Sequence, residues 1–176
     1  LSDPPEALTL LAADSVSMTA AILAKKNSGK TYLAMVLAEE FMSSDSIPIV
    51  VLDPTGVWFG LRSMADGLPS SFNILTLGGD YGDLSITAKD GSKVAMLINS
   101  IRPNPTVIDL SSLAPVEQHE FVADFAEKLF TIAERSPIHV IIDGAFREEQ
   151  SGSELARILR VLAKDVEEMD FDYLLT

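Results

Sequence analysis

Short apolar runs of strand length alternate along this chain with longer stretches whose apolar residues return every three or four positions. The runs cover residues 18–23, 47–52, 72–77, 106–110, 139–142 and 171–175. Val50-Val51-Leu52 and Val140-Ile141-Ile142 are continuous rather than alternating, the pattern of strands covered on both faces. In the helical stretches, Phe121, Phe125, Leu129 and Ile132 fall on one stripe behind Pro115, a residue suited to a first helical turn. Leu155, Ile158, Leu159, Leu162 and Val166 repeat the stripe within 153–169, and residues 31–41 carry a shorter one. These stripes are expected to be core. The alternation predicts an α/β fold with a mostly parallel sheet flanked by helices.

Residues 78–93 break the alternation. Gly78-Gly79, Gly82 and Gly91 stand among Asp80, Asp83 and Asp90, which predicts turns around a short strand at 84–87. A calcium loop is the alternative, although the spacing does not match an EF-hand.

Composition narrows the class. Hydrophobic residues at 47% against charged residues at 22% describe a folding globular chain, and 176 residues accommodate a single domain, 1–176, with one core. No cysteine is present, which excludes disulfides, thiolate metal sites and cysteine nucleophiles. No apolar stretch reaches the length of a membrane span, and no basic segment precedes an apolar one at the start, so a cytoplasmic protein without membrane partners is expected. The 13 basic residues face 26 acidic ones, a net charge of −13, and the longest basic run is Lys25-Lys26. That balance argues against a chain that grips nucleic acid by itself. The apolar strand at 171–175 has no helix after it, which points to a domain stopping short of its C-terminal edge.

The chemistry concentrates where strands end. Ala24-Lys25-Lys26-Asn27-Ser28-Gly29-Lys30-Thr31 meets the phosphate-loop pattern G-x-x-x-x-G-K-[ST] at every position except the first, between a strand and a helix. Backbone N–H groups of such a loop and the first helical turn, here reaching Tyr32, point at an anion. Lys30 is the candidate catalytic cation for the outer phosphates of ATP, and the Thr31 hydroxyl the candidate Mg²⁺ ligand. The plain alternative is a lysine-bearing turn before an ordinary helix. The run that ends at Asp143 supplies the strand-end carboxylate a magnesium site needs, making Asp143 both a catalytic and a metal candidate. Gly144 stands where hydrolysing relatives of such loops often place a water-orienting glutamate, and Glu148 or Glu149 could serve only if the next loop folds back.

Other strand ends are more ambiguous. Asp53 precedes Pro54 and a glycine-flanked turn, and either faces the nucleotide or caps a helix. Trp58 and Phe59 read as packing residues rather than base-stacking ones. Asp109 reads as a cap or supporting group, and His119 and His139 as structural or exposed.

In this order the motifs resemble the HerA-type helicase or translocase ATPases of the HerA/FtsK group. The resemblance is carried by AILAKKNSGKTYLAMVLAEE, IPIVVLDPTGVWFGL, LGGDYGDL, TVIDLSSLAPVEQHEFVADFAEKLF and HVIIDGAF. It implies a RecA-like P-loop core, ATP with Mg²⁺, a homo-oligomeric ring of hexameric type, double-stranded DNA as the track and a nuclease or other effector as partner. Lys30, Thr31 and Asp143 match the family's phosphate and magnesium positions. Ala24 and Gly144 depart from its loop glycine and its Asp-Glu-Ala, and Thr176 falls where the family has a Thr-Gln pair. These departures support a second reading, a nucleotide-binding regulatory or interaction module that hydrolyses nothing. A small-molecule kinase is disfavoured by the absence of lid and acceptor-site signals.

Overall fold

The computed structural model describes residues 20–22, 27–43, 48–132, 138–144 and 172–175. Strand β1 (Ala20–Ala21) leads toward helix α1 (Lys30–Ser43), followed by β2 (Ile49–Asp53), a 3-10 turn at Trp58–Arg62 and β3 (Leu75–Gly78). Helix α2 (Gly91–Ser100), β4 (Thr106–Asp109), α3 (Pro115–Ile132), β5 (His139–Ile142) and β6 (Asp172–Leu175) complete the order. The strands form one sheet in the order β1-β6-β5-β2-β4-β3, and every pairing is parallel. The α/β class and parallel sheet expected from the sequence are therefore present, with the RecA-like arrangement of a P-loop core. The helix expected at 153–169 lies outside the described residues.

Both faces of the sheet are covered, which explains its unbroken apolar strands. Val50, Leu52, Ile108, Val140 and Ile142 face one layer with Val94, Ala95 and Ile98 of α2 and Phe121, Phe125 and Leu129 of α3. Ile49, Val51, Val107 and Ile141 face the other, with Ala34, Leu37, Ala38 and Phe41 of α1 and with Trp58. Among the described connections, those stepping toward β3 use the α1 face, and the β3–β4 and β4–β5 connections, stepping back, use the α2–α3 face. A single crossover hand requires that division.

Helix α2 was not anticipated from the sequence, although Val94, Ala95, Ile98 and Ile101 follow a helical stripe. Its lead-in is a capping box, in which the Thr87 side chain accepts the Asp90 N–H and the Asp90 carboxylate accepts the Thr87 N–H at 2.9 Å, with the Thr87 hydroxyl also donating to that carboxylate at 2.6 Å. The neighbouring Lys93 ammonium, then these Thr87 donors, hold the Asp90 carboxyl down at about 2. The strand expected at 84–87 does not form. Only an isolated bridge joins Leu84 to Leu77, where the exposed Asp83 carboxylate, rather than a strand carbonyl, accepts the Thr76 N–H at 2.9 Å.

The glycine-aspartate turn is shaped by the end of β4. Gly79 has φ of +61°, and a Cβ there would overlap the Asp109 carboxylate. Gly79→Ala therefore combines a left-handed backbone with a clash against a buried group. A loss of about 2 kcal/mol in urea unfolding is expected, and an unchanged midpoint would contradict this account of the turn.

Candidate functional site

Parallel register brings three aspartates to one edge. Asp53 lies opposite Asp109 across β2 and β4, and Asp143 follows β5, whose Ile142 lies opposite Leu52. All three are buried. They are not equivalent, because each is bound by different donors.

Asp53 is committed to its own turn. One oxygen accepts the Thr55 N–H (2.9 Å), the Thr55 hydroxyl (2.8 Å) and the Gly56 N–H (2.9 Å). The other accepts the Trp58 N–H at 2.8 Å. Asp53 does not occupy the N-cap of the 3-10 segment, which is Val57; its carboxylate instead takes up the donors of the tight turn leading into that segment. Asp109 plays a smaller version of this part, accepting the Ser111 N–H at 2.9 Å.

Asp143 instead joins distant parts of the chain. Its Oδ1 accepts the Thr31 hydroxyl at 3.2 Å, from the first turn of α1. Its Oδ2 accepts the Trp58 indole N–H at 2.9 Å. Trp58 is wholly buried, as its expected packing role requires, but the bond from its nitrogen was not foreseen. Sequence offered only one hint: a buried indole needs an acceptor, and strand-end carboxylates are the acceptors available at this edge.

The described half of the loop carries two positive-φ residues. Asn27 (φ +61°) and Gly29 (φ +88°) are both left-handed, and alternation of this kind turns successive N–H groups to one side. Asn is the non-glycine residue that tolerates such angles best. Asn27, Ser28 and Gly29 are exposed, and a Cβ on Gly29 would meet open space. The Gly29 carbonyl accepts the Leu33 N–H at 2.9 Å, which sets Lys30 and Thr31 in the first helical turn. Lys30 and Thr31 are half-buried there, and Tyr32 is exposed. Ala24, Lys25 and Lys26 lie outside the described residues, as do Glu148 and Glu149.

Gly144 is exposed and has φ of +65°. A Cβ would fit, with Pro54 Cγ at 3.7 Å, so the backbone angle rather than space selects glycine. A glutamate at this point would occupy a conformation that L residues adopt at a cost of about 1 to 2 kcal/mol. His139 is buried with its ring edge against Phe41, centroids 4.9 Å apart, and His119 is exposed, so both fall where the sequence left them. Among the described residues no cluster of His, Cys, Asp and Glu forms a ready-made metal cage, and no helix is long and apolar enough to cross a membrane.

The residues present fit a magnesium ion of the phosphate-bound kind. A hydroxyl and a carboxylate oxygen, both hard donors, meet near the exposed loop at Asn27–Gly29, and Mg²⁺ bound with phosphates needs only one or two such protein groups.

In comparisons with known proteins, the family model described as Helicase HerA, central domain, matches residues 7–170. No curated protein and no solved structure matches.

Asp53 carries the whole turn that presents Trp58. Asp53→Ala strands four donors, one of them the N–H of a buried tryptophan, and is expected to cost about 3 kcal/mol in urea unfolding. A loss below about 1 kcal/mol would show that the turn is held by its chain connections instead.

Proposed function

The chain belongs to the family of the HerA helicase central domain, a P-loop ATPase family, and on that premise we propose that it binds Mg-ATP at the edge where Thr31 meets Asp143. The observation that carries this reading is the 3.2 Å contact itself. It brings together the loop helix and a strand end 112 positions apart in sequence, the two places from which a phosphate loop and its metal must be served.

In this reading, backbone N–H groups of Asn27 to Lys30 bind the phosphate oxygens, the Lys30 ammonium neutralises the outer phosphates, and Thr31 and Asp143 hold the magnesium. Bound Mg²⁺ supplies charge neutralisation on the phosphate oxygens. Ala24, Lys25, Lys26 and Tyr32 complete the loop around the nucleotide. Trp58 and the α1 face exclude water from the inner side of Asp143, which strengthens the carboxylate's interactions. In the full assembly the domain works in a homo-oligomeric ring, of hexameric type, that couples ATP to movement on double-stranded DNA, with a nuclease or other effector as partner.

A second reading is favoured by Gly144. Its side-chain-free, left-handed backbone directly after Asp143 leaves no carboxylate at that position to orient water. The chain is then a nucleotide-binding regulatory subunit of its assembly. Mg²⁺-dependent phosphate release with and without double-stranded DNA separates the two, because DNA-stimulated turnover is expected only of the translocase.

Both readings require the loop to bind nucleotide. Titration with a fluorescent ATP analogue is expected to saturate, and Lys30→Ala to weaken binding by about tenfold or more, the worth of one charge-assisted contact. No binding by the wild-type chain, or equal binding by the variant, overturns them.

A further inference from the structure

Trp58 is the chain's single tryptophan, and its indole nitrogen is 2.9 Å from Asp143 Oδ2. We infer that Trp58 is a positioning residue for magnesium: it fixes the plane of the Asp143 carboxylate so that Oδ1 stays turned to Thr31. The inference rests on the nucleotide-site reading and adds to it a residue from the opposite side of the carboxylate.

A carboxylate held at one oxygen can rotate about its Cβ–Cγ bond. Held at both, it cannot without breaking a bond. Thr31 holds Oδ1 and Trp58 holds Oδ2, so the two contacts together define the orientation. Thr31 takes on a second duty when a metal arrives, because its oxygen then also offers a lone pair to the ion while its O–H can keep donating to Oδ1. The indole N–H has no such second duty. It can donate to the same oxygen in the empty and loaded states, and it offers no lone pair to the ion.

The tryptophan is itself well anchored. Its side chain is wholly buried in the layer between α1 and the sheet, among Ala34, Phe41, Val51 and Ile141. Its backbone N–H is fixed to Asp53 at 2.8 Å. A rigid donor reaching a metal-binding carboxylate from outside the ligand set is the arrangement by which surrounding groups tune metal affinity, with effects of tenfold to a hundredfold on removal.

The test uses replacement of Trp58 by benzothienylalanine, which keeps the bicyclic volume and puts sulfur in place of the N–H, with Trp58→Phe as a second variant. For each protein, affinity for a fluorescent ATP analogue is measured in Mg²⁺ and in EDTA, and the ratio gives the gain due to the ion. That ratio is expected to fall about tenfold in both variants. A replacement that merely loosened the fold would lower both affinities together and leave the ratio unchanged, and that result would overturn the inference. A second readout needs no nucleotide: the single indole ¹⁵N–H resonance should move in Asp143→Asn, and an unmoved resonance would equally overturn it. Failure of the nucleotide-site reading is distinct, since the wild-type chain would then bind no analogue in either condition.

Discussion

The Asp143 carboxylate is bound by two separate segments of the molecule at once. Thr31 reaches it from the helix that follows the loop, and Trp58 from the turn that follows β2. Three segments far apart in sequence therefore share one buried anion, and none of them can shift without disturbing the others. A charge in a buried place is costly unless its oxygens are satisfied, and here both receive donors. The edge of the sheet is organised around meeting that requirement.

Asp53 shows the same physics used for a different end. Its four donors come from within five residues, so its charge is spent on local geometry. What it shapes is the turn that delivers Trp58 to Asp143. Two neighbouring aspartates on parallel strands thus divide the work: one builds the support, and the other presents an oxygen to the phosphate-loop helix. Asp109 extends the pattern to β4, where its carboxylate lies against the glycine turn after β3.

Much of this was legible in the sequence. Unbroken apolar strands implied a doubly covered parallel sheet, and the family followed from motifs in their order. Helix α2 escaped notice because its stripe begins inside a glycine-rich, acidic stretch whose local signals favour turns. The strand expected at 84–87 does not form, and the Thr76 N–H goes to the Asp83 carboxylate rather than to a strand carbonyl. Trp58 is buried, as its packing role requires, but its bond to Asp143 spans 85 positions and depends on the register of β2 with β5, which no local pattern encodes. Gly144 was visible as a departure from the family, and its left-handed backbone supplies a physical reason for it.

That Thr31 and Asp143 act as one site is tested most directly by a double-mutant cycle on Mg-ATP affinity. Thr31→Val removes the hydroxyl at nearly constant volume, and Asp143→Asn removes the charge. Residues in direct contact that serve one ligand should show a coupling of about 1 kcal/mol or more, so the double variant should lose distinctly less than the two single losses combined. Strict additivity, within about 0.3 kcal/mol, would mean that the two groups contribute independently and would contradict the shared site.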